Sequence, residues 1–151
     1  MAHSHNNVLL HVVFSTKDRR PFLQDAEIRS KLNAYLVGIL KNLKCPSLAT
    51  NCVADHVHTL FLISRTITIA DVMRDLKGSS SAWLKTQSPD LRRFQWQTGY
   101  GSFSVSESLG SVVKKYIQIQ EQHHKKMSFQ DEYRKICKLN GIVIDDRYDW
   151  D

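Results

Sequence analysis

Apolar residues crowd the start of the chain, where Val8, Leu9, Leu10, Val12, Val13 and Phe14 leave almost no polar face. Such a run predicts a buried strand over residues 7–15. Lys17, Asp18, Arg19, Arg20 and Pro21 then form a basic turn. The spacing next becomes helical: Ile28, Leu32, Tyr35, Leu36, Ile39 and Leu43 recur on one face, Asp25 can cap the first turn, and Pro46 bars continuation past about residue 44. Residues 48–54 and 56–64 predict a second and a third strand, with Asp55 in the tight turn between them. Thr68 opens a second helix to about residue 85, carrying Val72, Leu76 and Trp83, although Gly78, Ser79, Ser80 and Ser81 weaken its middle. Residues 94–106 form a fourth extended segment, interrupted by Gly99 and Gly101. Two helices follow, over residues 108–126 and 128–140, with Gly141 as a C-terminal cap.

The predicted order, β-α-β-β-α-β with helices appended, matches the split βαβ arrangement of ferredoxin-like and RRM-like folds. The expected class is therefore α+β: an antiparallel sheet with helices on one face, plus C-terminal helices. No linker or repeat divides residues 1–151, so one domain is expected. This architecture hosts many functions, so the site must carry the functional argument.

Composition narrows the class further. Hydrophobic residues make up 42% and charged residues 24%, which excludes a disordered chain. The net charge of +6 and pI near 9.3 favour a polyanionic partner, nucleic acid before membrane. Cys45, Cys52 and Cys137 are too few and scattered for a disulfide framework, and no CxxC pair suggests a zinc site. No apolar run approaches the roughly 20 residues needed to span a bilayer. The N-terminus lacks a signal-peptide core, so a cytoplasmic protein is expected.

Two short spacings carry the candidate chemistry. His56 and His58 open the third strand two residues apart, so their side chains share one face about 6.6 Å apart along the strand, and Val57 faces the other way. Tyr116 and Gln120 are four residues apart on a helix whose same face carries Val112 and Val113. A tyrosine and a glutamine within an apolar stripe need hydrogen-bond partners or a ligand. Two imidazoles and one amide oxygen are neutral ligands that leave a divalent metal its charge and open positions for a phosphodiester oxygen. A phenol is a weak nucleophile at neutral pH, and holding it in line with a polarised phosphorus offsets that weakness. Spacing alone does not show that strand and helix meet.

In these two motifs the chain resembles the single-tyrosine HUH transposases, the TnpA type of small bacterial insertion sequences. The His-hydrophobe-His motif reads His56-Val57-His58 within Asp55-His56-Val57-His58-Thr59-Leu60, and the nucleophile motif reads Tyr116-Ile117-Gln118-Ile119-Gln120. The similarity extends to Val13-Phe14-Ser15-Thr16-Lys17 with Arg20 and Pro21, to residues 96–106, and to the tail from Phe129 to Trp150. The resemblance implies an enzyme that binds hairpins at element ends and cuts and rejoins single-stranded DNA through a 5′-phosphotyrosine. It implies Tyr116 as nucleophile, His56, His58 and Gln120 as ligands of a divalent ion, and a homodimer whose sites are shared between subunits. Imidazole by itself suits zinc, nickel or iron, whereas the family resemblance implies Mg2+ or Mn2+.

Lys17, Arg19, Arg20, Arg74, Lys77, Arg92 and Arg93, joined by Arg65 and Lys85, fall near predicted loops and the second helix. They are candidates to track phosphates, with Phe94, Trp96 or Tyr100 stacking on unpaired bases. His124 lies two turns beyond Tyr116 and could approach the site beside His123, while His11 reads as a structural strand residue. Two other readings share the fold: a relative that processes repeat hairpins for its host, and a non-catalytic RRM-type module. The second would need exposed aromatics on the central strands, and no such motif is present.

Overall fold

A computed structural model describes residues 4–120 and 127–145 of the chain. Four strands, β1 (Leu9–Ser15), β2 (Ser47–Cys52), β3 (His56–Leu62) and β4 (Gly101–Val105), form one antiparallel sheet in the order β2-β3-β1-β4. Among the described residues, four α-helices pack on it: α1 (Ala26–Asn42), α2 (Ile69–Leu84), α3 (Gly110–Gln118) and α4 (Phe129–Leu139). The antiparallel α+β class read from the sequence is the one observed.

Alternation along the strands sorts the two faces. Leu10, Val12 and Phe14 of β1, with Val57 and Phe61 of β3, meet Leu32, Leu36 and Leu40 of α1 and Val72, Met73, Leu76 and Leu84 of α2. The opposite residues, Leu9 and Val13 of β1 and Leu60 of β3, point toward α3 and α4. Helices thus cover both faces, and the appended pair supplies the second layer. The sheet surface that an RRM-type module would offer to bases is therefore covered, which argues against that reading.

The capping residues behave as their chemistry requires. Asp25 accepts from the amides of Glu27 and Ile28, Thr68 from that of Asp71, and Ser128 from that of Asp131. Gly141 takes a positive φ of 71° just past α4, the left-handed conformation that closes a helix at little cost to glycine. At the weak centre of α2, the buried Ser80 hydroxyl donates to the Leu76 carbonyl and accepts from the Trp96 indole at 2.9 Å. A serine there costs some helix propensity and anchors the segment leading to β4. Gly101 lies where a Cβ would meet the Tyr133 ring at 2.6 Å, so α4 sits against β4 only because that position has no side chain.

Two expectations change. The fourth extended segment is a strand only over β4, preceded by an isolated bridge between Thr16 and Trp96. The helix expected over residues 108–126 begins with a 3-10 turn at Glu107–Leu109, and α3 ends at Gln118, where Ile119 leaves helical geometry. Residues 121–126 lie outside the described residues, as do His123, His124, Tyr148 and Trp150.

The two-layer packing makes a clear prediction. Leu36→Ala opens a cavity beneath α1, where the side chain is only 1% exposed, and is expected to cost about 2–5 kcal/mol in urea unfolding. Val112→Ala, at a position 63% exposed on α3, should change stability by less than about 0.5 kcal/mol.

A candidate catalytic centre between sheet and C-terminal helices

His56 and His58 lie side by side on the β3 face turned toward α3 and α4, their ring centroids 5.2 Å apart. Both are almost fully buried. The Tyr116 ring meets His58 at 5.9 Å between centroids, so the helix and the strand do meet, and they do so within one chain. Asn51 of β2 secures this docking: its side-chain amide donates to the carbonyls of Ile117 at 3.0 Å and Gln118 at 3.4 Å, where α3 ends. Ile117 and Val113 fill the apolar contact between α3 and the sheet.

The residue that joins the parts is Glu132 of α4. Its Oε1 lies 2.7 Å from His58 Nε2 and 3.2 Å from His56 Nε2. Tyr116 donates its hydroxyl proton to Oε2 at 2.5 Å, and the Gln120 amide donates to both carboxylate oxygens, at 3.2 and 2.9 Å. Gln120 is fully buried, and its Nε2 also lies 3.2 Å from His56 Nε2. Tyr116, His56, His58 and Gln120, singled out along the sequence, are thus brought together around a carboxylate that sequence reasoning missed. A signal for it existed. Phe129, Glu132, Tyr133, Ile136 and Cys137 fall at helical spacing, so an acid occupies the buried stripe of α4. A charge in such a stripe requires buried partners.

The outward ring nitrogens are also engaged. His56 Nδ1 lies 2.7 Å from Asp55 Oδ1, and His58 Nδ1 lies 2.8 Å from Nε2 of the buried His11. Burial would depress His56, yet its hydrogen bonds to Asp55 and Glu132 outweigh it and raise its pKa above the ordinary imidazole value. Burial likewise opposes ionisation of Glu132, but the hydrogen bonds from His56, His58 and Tyr116 hold its carboxyl far below the usual carboxylate range. Burial, and then the hydrogen bond to Glu132, push the Tyr116 phenol up, so the resting hydroxyl keeps its proton. Burial and repulsion from His58 bring His11 down to about 3, which leaves that ring neutral at physiological pH.

The donor set fits a divalent ion. His56, His58 and Glu132 offer ligand atoms all within 4.8 Å of one another. Gln120 adds a buried amide oxygen that has no hydrogen-bond partner, an acceptor in want of a proton or a cation. Replacing an all-neutral set by two imidazoles and a carboxylate also moves the preference toward harder ions such as Mn2+ and Mg2+.

The basic candidates divide. Arg20, Arg92 and Arg93, with Lys85, border one shallow cleft, and Lys17 and Lys77 border a second that meets the first at Gln95. Arg74 pairs with Asp71 and Asp75 on the exposed face of α2, and Arg19 lies in the 3-10 turn at Lys17–Arg19 with φ 56°. Lys77 donates to the carbonyls of Gln97, Thr98 and Gly99, so its ammonium fixes the loop before β4. Of the aromatic stacking candidates, Phe94 and Trp96 are buried against Phe14 and Phe22, and only Tyr100 reaches solvent. The expectation that Phe94 and Trp96 stack on bases is therefore corrected: the core needs both rings. No helix among the described residues is long and apolar enough to cross a membrane.

Removing the carboxylate should test what holds this cluster. Glu132→Leu strands four donors in the interior and is expected to destabilise the metal-free protein by about 3 kcal/mol in urea unfolding with EDTA present, despite the added apolar volume. Unchanged stability would show that the cluster does not depend on Glu132.

Comparison with known proteins agrees with this geometry. The family model described as "Transposase IS200 like" matches residues 4–120. Transposases for insertion sequence element IS200 from Salmonella typhimurium (strain LT2) and Salmonella typhi are each 30% identical to the chain over 117 residues, covering 74% of it and 76% of the relative. Among solved structures, a candidate transposase from Deinococcus radiodurans R1 shares the fold with a TM-score of 0.62 and 24% identity, covering 80% of this chain and 95% of that one. A REP-associated tyrosine transposase bound to a REP hairpin does so with a TM-score of 0.60 and 12% identity, covering 82% and 72%. The chain belongs to the IS200-like transposase family.

Proposed function

We propose that this chain cuts and rejoins single-stranded DNA at hairpin-bearing sites, with Tyr116 as the nucleophile and a divalent ion held by His56, His58 and Glu132, assisted by Gln120. The observation that carries the reading is the convergence of the Tyr116 hydroxyl and both histidines on one buried carboxylate. Mn2+ or Mg2+ bound there would polarise the scissile phosphate and stabilise its developing charge. Rotation of the Gln120 amide by half a turn would exchange its nitrogen for the unpartnered oxygen and add a ligand.

The chain's own residues supply the remaining steps. Asn51 and the apolar contact of α3 hold Tyr116 against the site, so the hydroxyl meets phosphorus without a search. As the Tyr116 oxygen bonds to phosphorus, its proton leaves toward Glu132 Oε2, the acceptor already in place. The bond from phosphorus to the departing 3′ oxygen breaks, and that oxygen takes up a proton to become a free hydroxyl. The 5′-phosphotyrosine keeps the phosphodiester energy, and attack by a 3′-hydroxyl reverses the step to rejoin a strand.

Placement of the basic residues favours a path for DNA. The turn at residues 17–20 begins two residues after Ser15, the register partner of His56, so Lys17 and Arg20 lie at the end of the sheet that carries the histidines. Arg92 and Arg93 extend that charge along the adjoining cleft. A hairpin as partner is supported by the resemblance and by the bound REP hairpin of the structural relative. The same likeness keeps open a host function in repeat-hairpin processing. The resemblance also implies a homodimer with sites shared between subunits, whereas here one chain assembles a complete set, so we read the cutting site as built in cis.

Two experiments test the proposal. Tyr116→Phe keeps the ring and removes the nucleophilic oxygen. It should abolish the covalent protein–DNA adduct on gels while hairpin binding stays within about twofold, because a shift of less than about 0.4 kcal/mol is expected. An adduct formed by the Phe variant would exclude Tyr116 as nucleophile. For the cis arrangement, mixing and co-refolding Tyr116→Phe protein with His56→Ala/His58→Ala protein should give no cleavage, since every site then carries a lesion. Recovered activity in proven heterodimers would place tyrosine and histidines on different subunits.

A further inference from the structure

We propose that Gln97 contacts the DNA strand to be cut, its side-chain amide donating to a hydrogen-bond acceptor of a nucleotide in the cleft that Lys17 borders. The proposal rests on the DNA-cutting reading above and adds an uncharged residue to the basic set. β4 pairs with β1 only as far as Val13, opposite Gly101. Ser15, two residues further along β1, finds both its partners on that side in Gln97. Its carbonyl accepts from the Gln97 backbone at 2.9 Å, and its N–H donates to Gln97 Oε1 at 2.6 Å. A backbone N–H can only donate, so the amide oxygen faces Ser15 and the NH2 group is turned from it. Among the described residues, none accepts from that nitrogen. Gln97 is half-buried and lines the same cleft as Lys17 and Lys77.

The loop that carries this donor is fixed. Lys77 donates to the carbonyls of Gln97, Thr98 and Gly99 at 2.9, 3.2 and 2.6 Å, while Trp96 bridges to Thr16 and its indole donates to Ser80. An ammonium has three protons, and three carbonyls take those of Lys77, so Gln97 rather than Lys77 has hydrogens to offer a ligand. A group already held in place loses little freedom on binding. Supporting Ser15 requires only the oxygen of Gln97, and the NH2 group is surplus to that structural task. Position supplies the chemistry of the ligand. Ser15 is the register partner of His56, so Gln97 stands at the end of the sheet where β3 brings in its histidines. A strand leaving the cluster along Lys17 enters this cleft, and it carries acceptors of two kinds, phosphate oxygens and base edges.

The test uses the full chain and a DNA hairpin with single-stranded flanks, taken from the sequence beside its own gene. Methylphosphonates replace the flank phosphates one at a time, and in a second series abasic sites replace the bases. In wild-type protein one substitution should lower affinity by about 10-fold, and the series in which it falls tells phosphate from base. Gln97→Met removes the donor without adding charge. Against this variant the same substitution should cost less than about twofold, because the contact is already lost, while the other positions keep their wild-type effects. Gln97→Glu retains an oxygen for the Ser15 amide and should likewise show no cost at that position, so a Met variant of low stability leaves the test intact. No sensitive position in wild type, or a position that costs both variants as much as wild type, would overturn the role given to Gln97. A wild-type protein that does not bind the unmodified DNA would overturn the DNA reading itself.

Discussion

A carboxylate buried between a sheet and two helices organises this molecule. Ionised and alone, it would cost several kcal/mol to bury. Glu132 is stabilised because β3 brings two imidazoles to it, α3 a phenol, and the residue just past α3 an amide. Each of those groups is buried or half-buried and needs a partner of its own. The constraint is mutual: the strand, the tyrosine helix and the last helix are held in one arrangement by polar groups that satisfy one another only there. Apolar clusters lie around this centre, Leu9, Leu60 and Ile117 in one and Val13, Phe103 and Phe129 in the other, and they shield it from solvent.

The same cluster gives the tyrosine contrasting properties. The hydrogen bond that aims its hydroxyl also helps to keep it protonated, so the resting chain holds an oriented but un-ionised phenol. A cation drawn in by the two imidazoles would compete for the same carboxylate. Orientation and restraint therefore come from one group, and a ligand that engages Glu132 relaxes the restraint without moving the helix that Asn51 anchors.

Much of this was legible along the chain. Strand alternation placed His56 and His58 on one face and Val57 on the other, whereas Gln120 reaches the cluster from beyond the end of α3 and not from the helix that carries Tyr116. Asp25, Thr68 and Ser128 marked helix starts by side-chain chemistry that acts within a few residues. What stayed hidden depends on contacts between distant segments. Glu132 is 74 residues from His58, and no local period reports such a meeting. The sequence shows no sign of the contact between His11 and His58, because the two lie on different strands. Phe94 and Trp96 looked available to bases because flanking basic residues suggest a surface, whereas their rings close the core around Phe14 and Phe22. The contacts of Lys77 with the carbonyls of Gln97, Thr98 and Gly99 also join segments some twenty residues apart, which no local pattern reports.

The family match covers residues 4–120, whereas the carboxylate comes from α4. Read in the direction of synthesis, the two parts of the molecule mature at different times. Every residue bordering the basic clefts, from Lys17 to Thr98, has emerged before the chain reaches the tyrosine, and the acceptor for the tyrosine proton comes later still. A growing chain thus completes the residues of both basic clefts before the cluster around Glu132 can assemble.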